Sequence, residues 1–153
     1  MSAFVVVEHE VAVPLSDAFG HFVDFTHWDA WMPSTFSPHT GPERPLQAGD
    51  RFKVRVGKLP IALHVLRLRP NAEVCWRGGS RLVMQGDHSF TFTEIGGKTR
   101  IRSEETLSGL LTLGFMAARI ERSAAAEART LLRRFADYVT RQAPVVAHAR
   151  VAE

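Results

Sequence analysis

The sequence predicts an α+β domain: a curved antiparallel sheet of about six to seven strands wrapped around one long C-terminal helix, with two short helices after the first strand. Three observations predict it. Residues 51 to 107 break into strand-length runs of alternating apolar and polar residues, separated by Pro, Asn and Gly turn signals. Residues 115 to 142 contain neither Gly nor Pro and carry an apolar stripe at helical spacing. Between the first alternating run and the rest lie two short stretches with helical periodicity.

Taken in order, residues 3 to 13 place Val5, Val7, Val11 and Val13 on one face and Glu8 and Glu10 on the other, with His9 on the apolar side. Pro14 ends that strand. "LSDAFGHFVDF" then offers Ser16 or Asp17 as helix N-caps, with Phe19, Phe22 and Val23 at helical spacing. A second helical piece around "THWDAWM" stops at Pro33, and Ser34 to Asp50, rich in Pro, Gly, Ser and Thr, reads as a loop around a short edge strand. "RFKVRV" sets Phe52, Val54 and Val56 against Arg51, Lys53 and Arg55. "IALHVLRLR" and "AEVCWRG" follow, joined at Pro70 and Asn71. After a "GGSRLVMQG" connection come "DHSFTFTEI" and "KTRIRSEETL", with Gly96 and Gly97 as a two-residue hairpin loop.

Gly109 and Gly114 bracket the apolar link "LLTL". The helix that follows presents Ala117, Ile120, Ala124, Ala128, Leu131, Phe135 and Val139 along one side and is expected to stop at Pro144. Residues 1 to 143 thus form one domain and 144 to 153 a loosely ordered tail. A curved sheet with one apolar face needs a cover, and the long helix is the only candidate of sufficient size. Such a wrap does not close along its whole length, so an internal cavity is expected.

At 153 residues and 45% hydrophobic composition the chain supplies one core. The net charge of +3 is scattered among acids, and no motif points to nucleic acid. A single cysteine, Cys75, excludes an internal disulfide and favours a reducing, cytoplasmic setting. "MSAFVVVEHEV" has neither the basic start of a signal peptide nor the length of a membrane span, so stable membrane insertion is not expected. No spacing calls for a metal or other cofactor: Asp24, His27 and Asp29 are better explained by caps and loop hydrogen bonds. A homodimer is left open.

"DFTHWDAWMP", "GDHSFTF", "GGKTRIRSEETLSGLL" and the order of elements resemble the START-like, polyketide-cyclase-type superfamily, which includes the birch pollen allergen relatives. The resemblance spans residues 3 to 142. It implies the helix-grip fold and an elongated cavity that usually holds a hydrophobic small molecule. It carries over no catalytic residue.

Two polar residues sit on apolar faces: His88 shares its side with Phe90 and Phe92, and Glu105 with Ile101 and Leu107. With Gly96 and Gly97 as the loop, Ile95 pairs with Lys98 and His88 falls opposite Glu105. The pair is a register-fixing ion pair or a polar spot in the cavity that binds a ligand or moves a proton, with His88 as base and Glu105 orienting it. Phe90, Phe92, Ile101, Leu107, Phe115 and Met116 are the expected apolar contacts, and Ser103 a further polar one. Trp76 is the tryptophan favoured as ligand-facing over Trp28 and Trp31; Arg55 and His64 are expected to face solvent. The leading function is a carrier or sensor of a hydrophobic small molecule such as a lipid, isoprenoid or aromatic polyketide-like compound. The alternatives are a cyclase or dehydratase and a co-chaperone-like interaction domain.

Overall fold

Alternation in the N-terminal run becomes β1 (Ser2–Val11), which buries Val5, Val7 and Val11 and turns Glu8 and Glu10 outward. The computed structural model describes the backbone of residues 2–151 and the side chains of residues 3–142. α1 (Leu15–Val23) follows, but neither Ser16 nor Asp17 caps it: Pro14 holds the cap position and its carbonyl accepts from the Ala18 N–H at 3.0 Å. The fixed φ of proline starts the helix ahead of both polar residues. A 3₁₀ turn (Phe25–Ala30), capped by the Asp24 side chain, leads to the edge strand β2 (Phe36–Thr40).

The strands β3 (Arg51–Val56), β4 (Leu59–Arg69), β5 (Glu73–Ser80), β6 (Met84–Ile95) and β7 (Lys98–Ser108) form an antiparallel meander. With β1 paired to β7, the seven-stranded curved sheet has the order β1-β7-β6-β5-β4-β3-β2. β5 and β6 are longer than the sequence suggests, pairing as far as Ser80 with Met84. Gly78 and Gly79 belong to the ladder, not to a connection. A Cβ at Gly78 would run into the Leu63 side chain, and one at Gly79 into the Met84 carbonyl, so these glycines permit close approach of backbone.

A 3₁₀ turn (Leu110–Thr112) then leads to α2 (Met116–Val151). Its 36 residues span about 54 Å at ~1.5 Å each. The expected stop at Pro144 is not seen in the backbone. Proline there removes the N–H that would bond the Thr140 carbonyl, yet its own φ is helical and the chain path continues.

Packing is uneven along α2. Leu131, Leu132, Phe135 and Val139 are buried, whereas Ala117, Ile120 and Ala124 in the N-terminal half are only half-buried. The difference follows from α1, which wedges under the C-terminal half. Phe22 of α1 is fully buried and meets the rings of Trp31, Phe90, Phe92 and Phe135 at centroid distances of 5.3, 4.7, 5.3 and 5.1 Å. Burial of each such ring contributes about 1.5–3 kcal/mol. Where α1 does not reach, the space beneath α2 is left open.

Candidate functional site

Gly96 and Gly97 have φ of 55° and 82°, the left-handed pair that a two-residue hairpin turn requires. The turn therefore pairs Ile95 with Lys98, and the ladder places His88 directly opposite Glu105. His88 Nδ1 lies 3.2 Å from Glu105 Oε2, an ion-pair contact, and Nε2 lies 2.6 Å from Ser103 Oγ. The imidazole stacks on Phe90 at 4.2 Å and meets the edge of Trp76 at 6.0 Å. Its company with phenylalanine is thus a clamp: one ring fixes its plane, and Ser103 fixes one nitrogen.

The two partners are not equally available. Side-chain exposure is 13% for His88 and 23% for Glu105. In the neutral imidazole the Ser103 hydroxyl donates to Nε2 and leaves the proton on Nδ1, facing Glu105; in the imidazolium both nitrogens are donors. Either way the free lone pairs belong to Glu105. Among the described residues its carboxylate has one polar contact, with His88 Nδ1 at 3.2 Å.

This pair forms part of the wall of a chamber of about 400 Å³ between the sheet and the N-terminal half of α2. β5 contributes Trp76, β6 Met84 and His88, and β7 Glu105 and Leu107. Phe36 and Val56 close the β2–β3 side. The roof is one face of α2, from Ile120 and Ser123 through Ala124, Glu127 and Ala128 to Leu131. The alanines leave the space beneath the roof unfilled, since a larger side chain at either would project into it. Thr35 stands at the mouth and donates to Glu127, its Oγ1 lying 2.8 Å from each carboxylate oxygen.

Of the residues expected to contact a ligand, Trp76, His88, Glu105 and Leu107 lie on this wall. Phe90, Phe92 and Ile101 do not. They are 0%, 4% and 0% exposed, and α1 fills the space above Phe90 and Phe92 through Phe19 and Phe22. Parity placed them on the correct face but said nothing of position along the strand. Ser103, 1% exposed, lies behind His88 rather than on the wall. Phe115 is 89% exposed and points away, and Met116, half-buried, is also outside the wall, because the chamber begins a turn further along α2. Met84, Ile120, Ser123 and Glu127 were not foreseen. The run of small residues on one side of α2 was the available signal.

Elsewhere, Trp28 and Trp31 are core residues, Arg55 is exposed and His64 half-buried. Asp24 accepts from Thr26 N–H at 3.2 Å and contacts His27 Nδ1 at 2.8 Å. Burial pushes its carboxyl up, but the hydrogen bonds from Thr26 and His27 outweigh this and hold it below the ordinary range. Burial pushes the Cys75 thiol up, which makes it a poor nucleophile. Among the described residues no helix is long and apolar enough to cross a membrane.

A family model described as polyketide cyclase / dehydrase and lipid transport matches residues 2–140. No curated protein sequence gives a significant match. Among solved structures, protein MLL2253 from Mesorhizobium loti superposes with a TM-score of 0.71 at 17% identity, covering 90% of this chain and 97% of that one. DynU16, a protein of the dynemicin biosynthetic locus, gives 0.70 at 17% identity over 90% of this chain and 47% of that one, so the chain spans about half its length. Ara h 8.0201, of the birch pollen allergen-like type, gives 0.68 at 10% identity, with 92% and 99% covered. At such identities the likeness shows the helix-grip fold.

Proposed function

The chain belongs to the polyketide cyclase / dehydrase and lipid transport family, and on that premise we propose that it holds a hydrophobic small molecule in the chamber under α2, as a carrier or sensor. The observation that carries this reading is the chamber itself: about 400 Å³, walled by Trp76, Leu107, Ile120 and Leu131 and marked by few polar groups. That combination is typical of small-molecule sites, and each 100 Å² of apolar ligand surface removed from water contributes about 2.5 kcal/mol before the cost of immobilisation. The volume is at the small end of the ~300–1,000 Å³ usual for such sites, which favours a single-chain or few-ring molecule. A buried free Cys75 fits a reducing, cytoplasmic setting.

A second reading rests on the Ser103–His88–Glu105 series. In a cyclase or dehydratase, Glu105 would take a proton from a carbon made acidic by a neighbouring carbonyl, and His88 would hold the carboxylate in place. These roles are the reverse of those expected from the sequence, because Glu105 has the free lone pairs.

Mass spectrometry on an organic extract of the purified protein, with native mass spectrometry of the same sample, tests the first reading. A stoichiometric apolar compound is expected, or uptake of a neutral apolar fluorophore by empty protein. Failure of both would overturn it.

A further inference from the structure

Resting on the reading of the chamber as a ligand site, we infer that its ligand presents a hydrogen-bond donor to Glu105, as a protonated amine or a hydroxyl, and that carboxylate and phosphate head groups are rejected. The chamber's charged wall residues are one-sided. Glu105 and Glu127 supply carboxylates, the His88 imidazole on the same wall is already engaged by Glu105 and Ser103, and no Lys or Arg lines the space among the described residues. A cavity built for a fatty-acid carboxylate or a phosphate would need a cation or converging N–H groups at that end.

The state of the two carboxylates sharpens the choice. Glu127 at the mouth already receives the Thr35 hydroxyl on both oxygens and is exposed. Glu105, further in, has His88 Nδ1 as its one polar partner among the described residues, and its remaining lone pairs face the chamber. An apolar ligand shields those lone pairs from solvent. Unless the ligand brings a donor, the carboxylate is left desolvated with His88 as its one partner, which opposes binding. An anionic head adds repulsion in a space whose apolar walls weaken screening. A hydroxyl supplies one hydrogen bond; an ammonium supplies one and adds an opposite charge.

The test is displacement of N-phenyl-1-naphthylamine, a neutral fluorescent reporter, by four probes sharing one tail: dodecylamine, dodecanol, dodecanoate and dodecyl phosphate, each below its micelle concentration. Dodecylamine and dodecanol are expected to displace the reporter at ~10-fold or more lower concentration than the two anions. Dodecylamine leading marks a cationic ligand, and dodecanol leading or equal marks a neutral hydroxyl compound. In Glu105→Gln the advantage of the amine over dodecanoate should shrink by about tenfold, against about twofold in Glu127→Gln at the exposed mouth. Dodecanoate or dodecyl phosphate competing as well as the amine and alcohol would overturn the inference while leaving the chamber a ligand site. So would an unchanged ranking in Glu105→Gln. A reporter that is never taken up would overturn the site itself and this inference with it. The wild-type ranking decides the matter even if Glu105→Gln fails to fold.

Discussion

Ser103 Oγ lies 2.6 Å from His88 Nε2, a bond between a serine that is 1% exposed and the imidazole in front of it. Ser103→Ala would leave that nitrogen with no partner in a place water does not reach. The expected loss is about 1–3 kcal/mol of stability by chemical denaturation. Because Glu105 still faces Nδ1, the Nδ1–H tautomer should persist while the Nε2 resonance shifts on loss of its hydrogen bond, which ¹⁵N NMR of the imidazole reads directly. Loss of stability with no change in the ring nitrogens would mean that Ser103 acts only as a spacer.

Two tryptophans three residues apart should respond differently to the same change. Trp28 Nε1 donates to the Phe22 carbonyl at 2.9 Å, whereas Trp31 Nε1 is buried without a hydrogen-bond partner among the described residues. Replacement by Phe removes a satisfied donor in one case and an orphan in the other. Trp28→Phe should therefore cost about 1–2 kcal/mol more than Trp31→Phe in urea unfolding. Equal losses would show that packing volume alone decides both.

Glu73 gives a pH dependence with a defined sign. Burial pushes its carboxyl up, but hydrogen bonds and charge from Arg67 and Arg69 outweigh this and hold it below the ordinary 4.5. A carboxyl that is more acidic when folded stabilises the protein fully above that ordinary value, and the contribution fades as pH falls through the folded one. Glu73→Gln should cost about 1–2 kcal/mol at neutral pH, the lower end being favoured because both arginines are mostly exposed. The gap from wild type should narrow as the pH is taken below 4.5. A gap independent of pH would remove the ion pairs from the explanation.

Gly109 and Gly114 flank the same apolar link but are not equivalent. Gly109 has φ of 117°, and a Cβ there would lie 2.6 Å from the Val83 carbonyl oxygen; Gly114, at φ 62°, has nothing nearby. Gly109→Ala should cost at least ~1–3 kcal/mol in denaturant midpoint analysis and Gly114→Ala about 1 kcal/mol. The reverse order would contradict the backbone described for this link.

The opposition of His88 and Glu105 was legible because a two-glycine loop leaves only one register, and side-chain parity then follows for the whole hairpin. Ser103 was placed on the right face, but its bond to His88 is diagonal across the ladder and depends on rotamers that alternation does not encode. Strand ends were misjudged at Gly78 and Gly79 because glycine signals both turns and close backbone approach. The chamber was the least legible part. Its position depends on how far α1 reaches under α2, so Phe90, Phe92 and Ile101, correct in face, became core. What the sequence did contain was a change along α2 from Ala and Ser at 123 to 125 to Leu and Phe at 131 to 135, and that change marks where the roof lifts.

From β2 to β7 each strand lies beside its neighbour in the chain, but β1 lies beside β7, and Ser2 pairs with Ser108. Isolated hairpins close in about 1–10 μs, while a pairing that spans most of the domain waits on a far larger loop and is slower. On the ribosome β1 is made first and has no partner until β7 has emerged. Throughout that interval "AFVVV", apolar, uncharged and rich in β-branched residues, is bare. Glu8 and Glu10, which follow at once, act as its gatekeepers. Slow synthesis between residues 12 and 98 would prolong that exposure, so the yield of soluble protein should depend on how quickly the middle of the chain is translated.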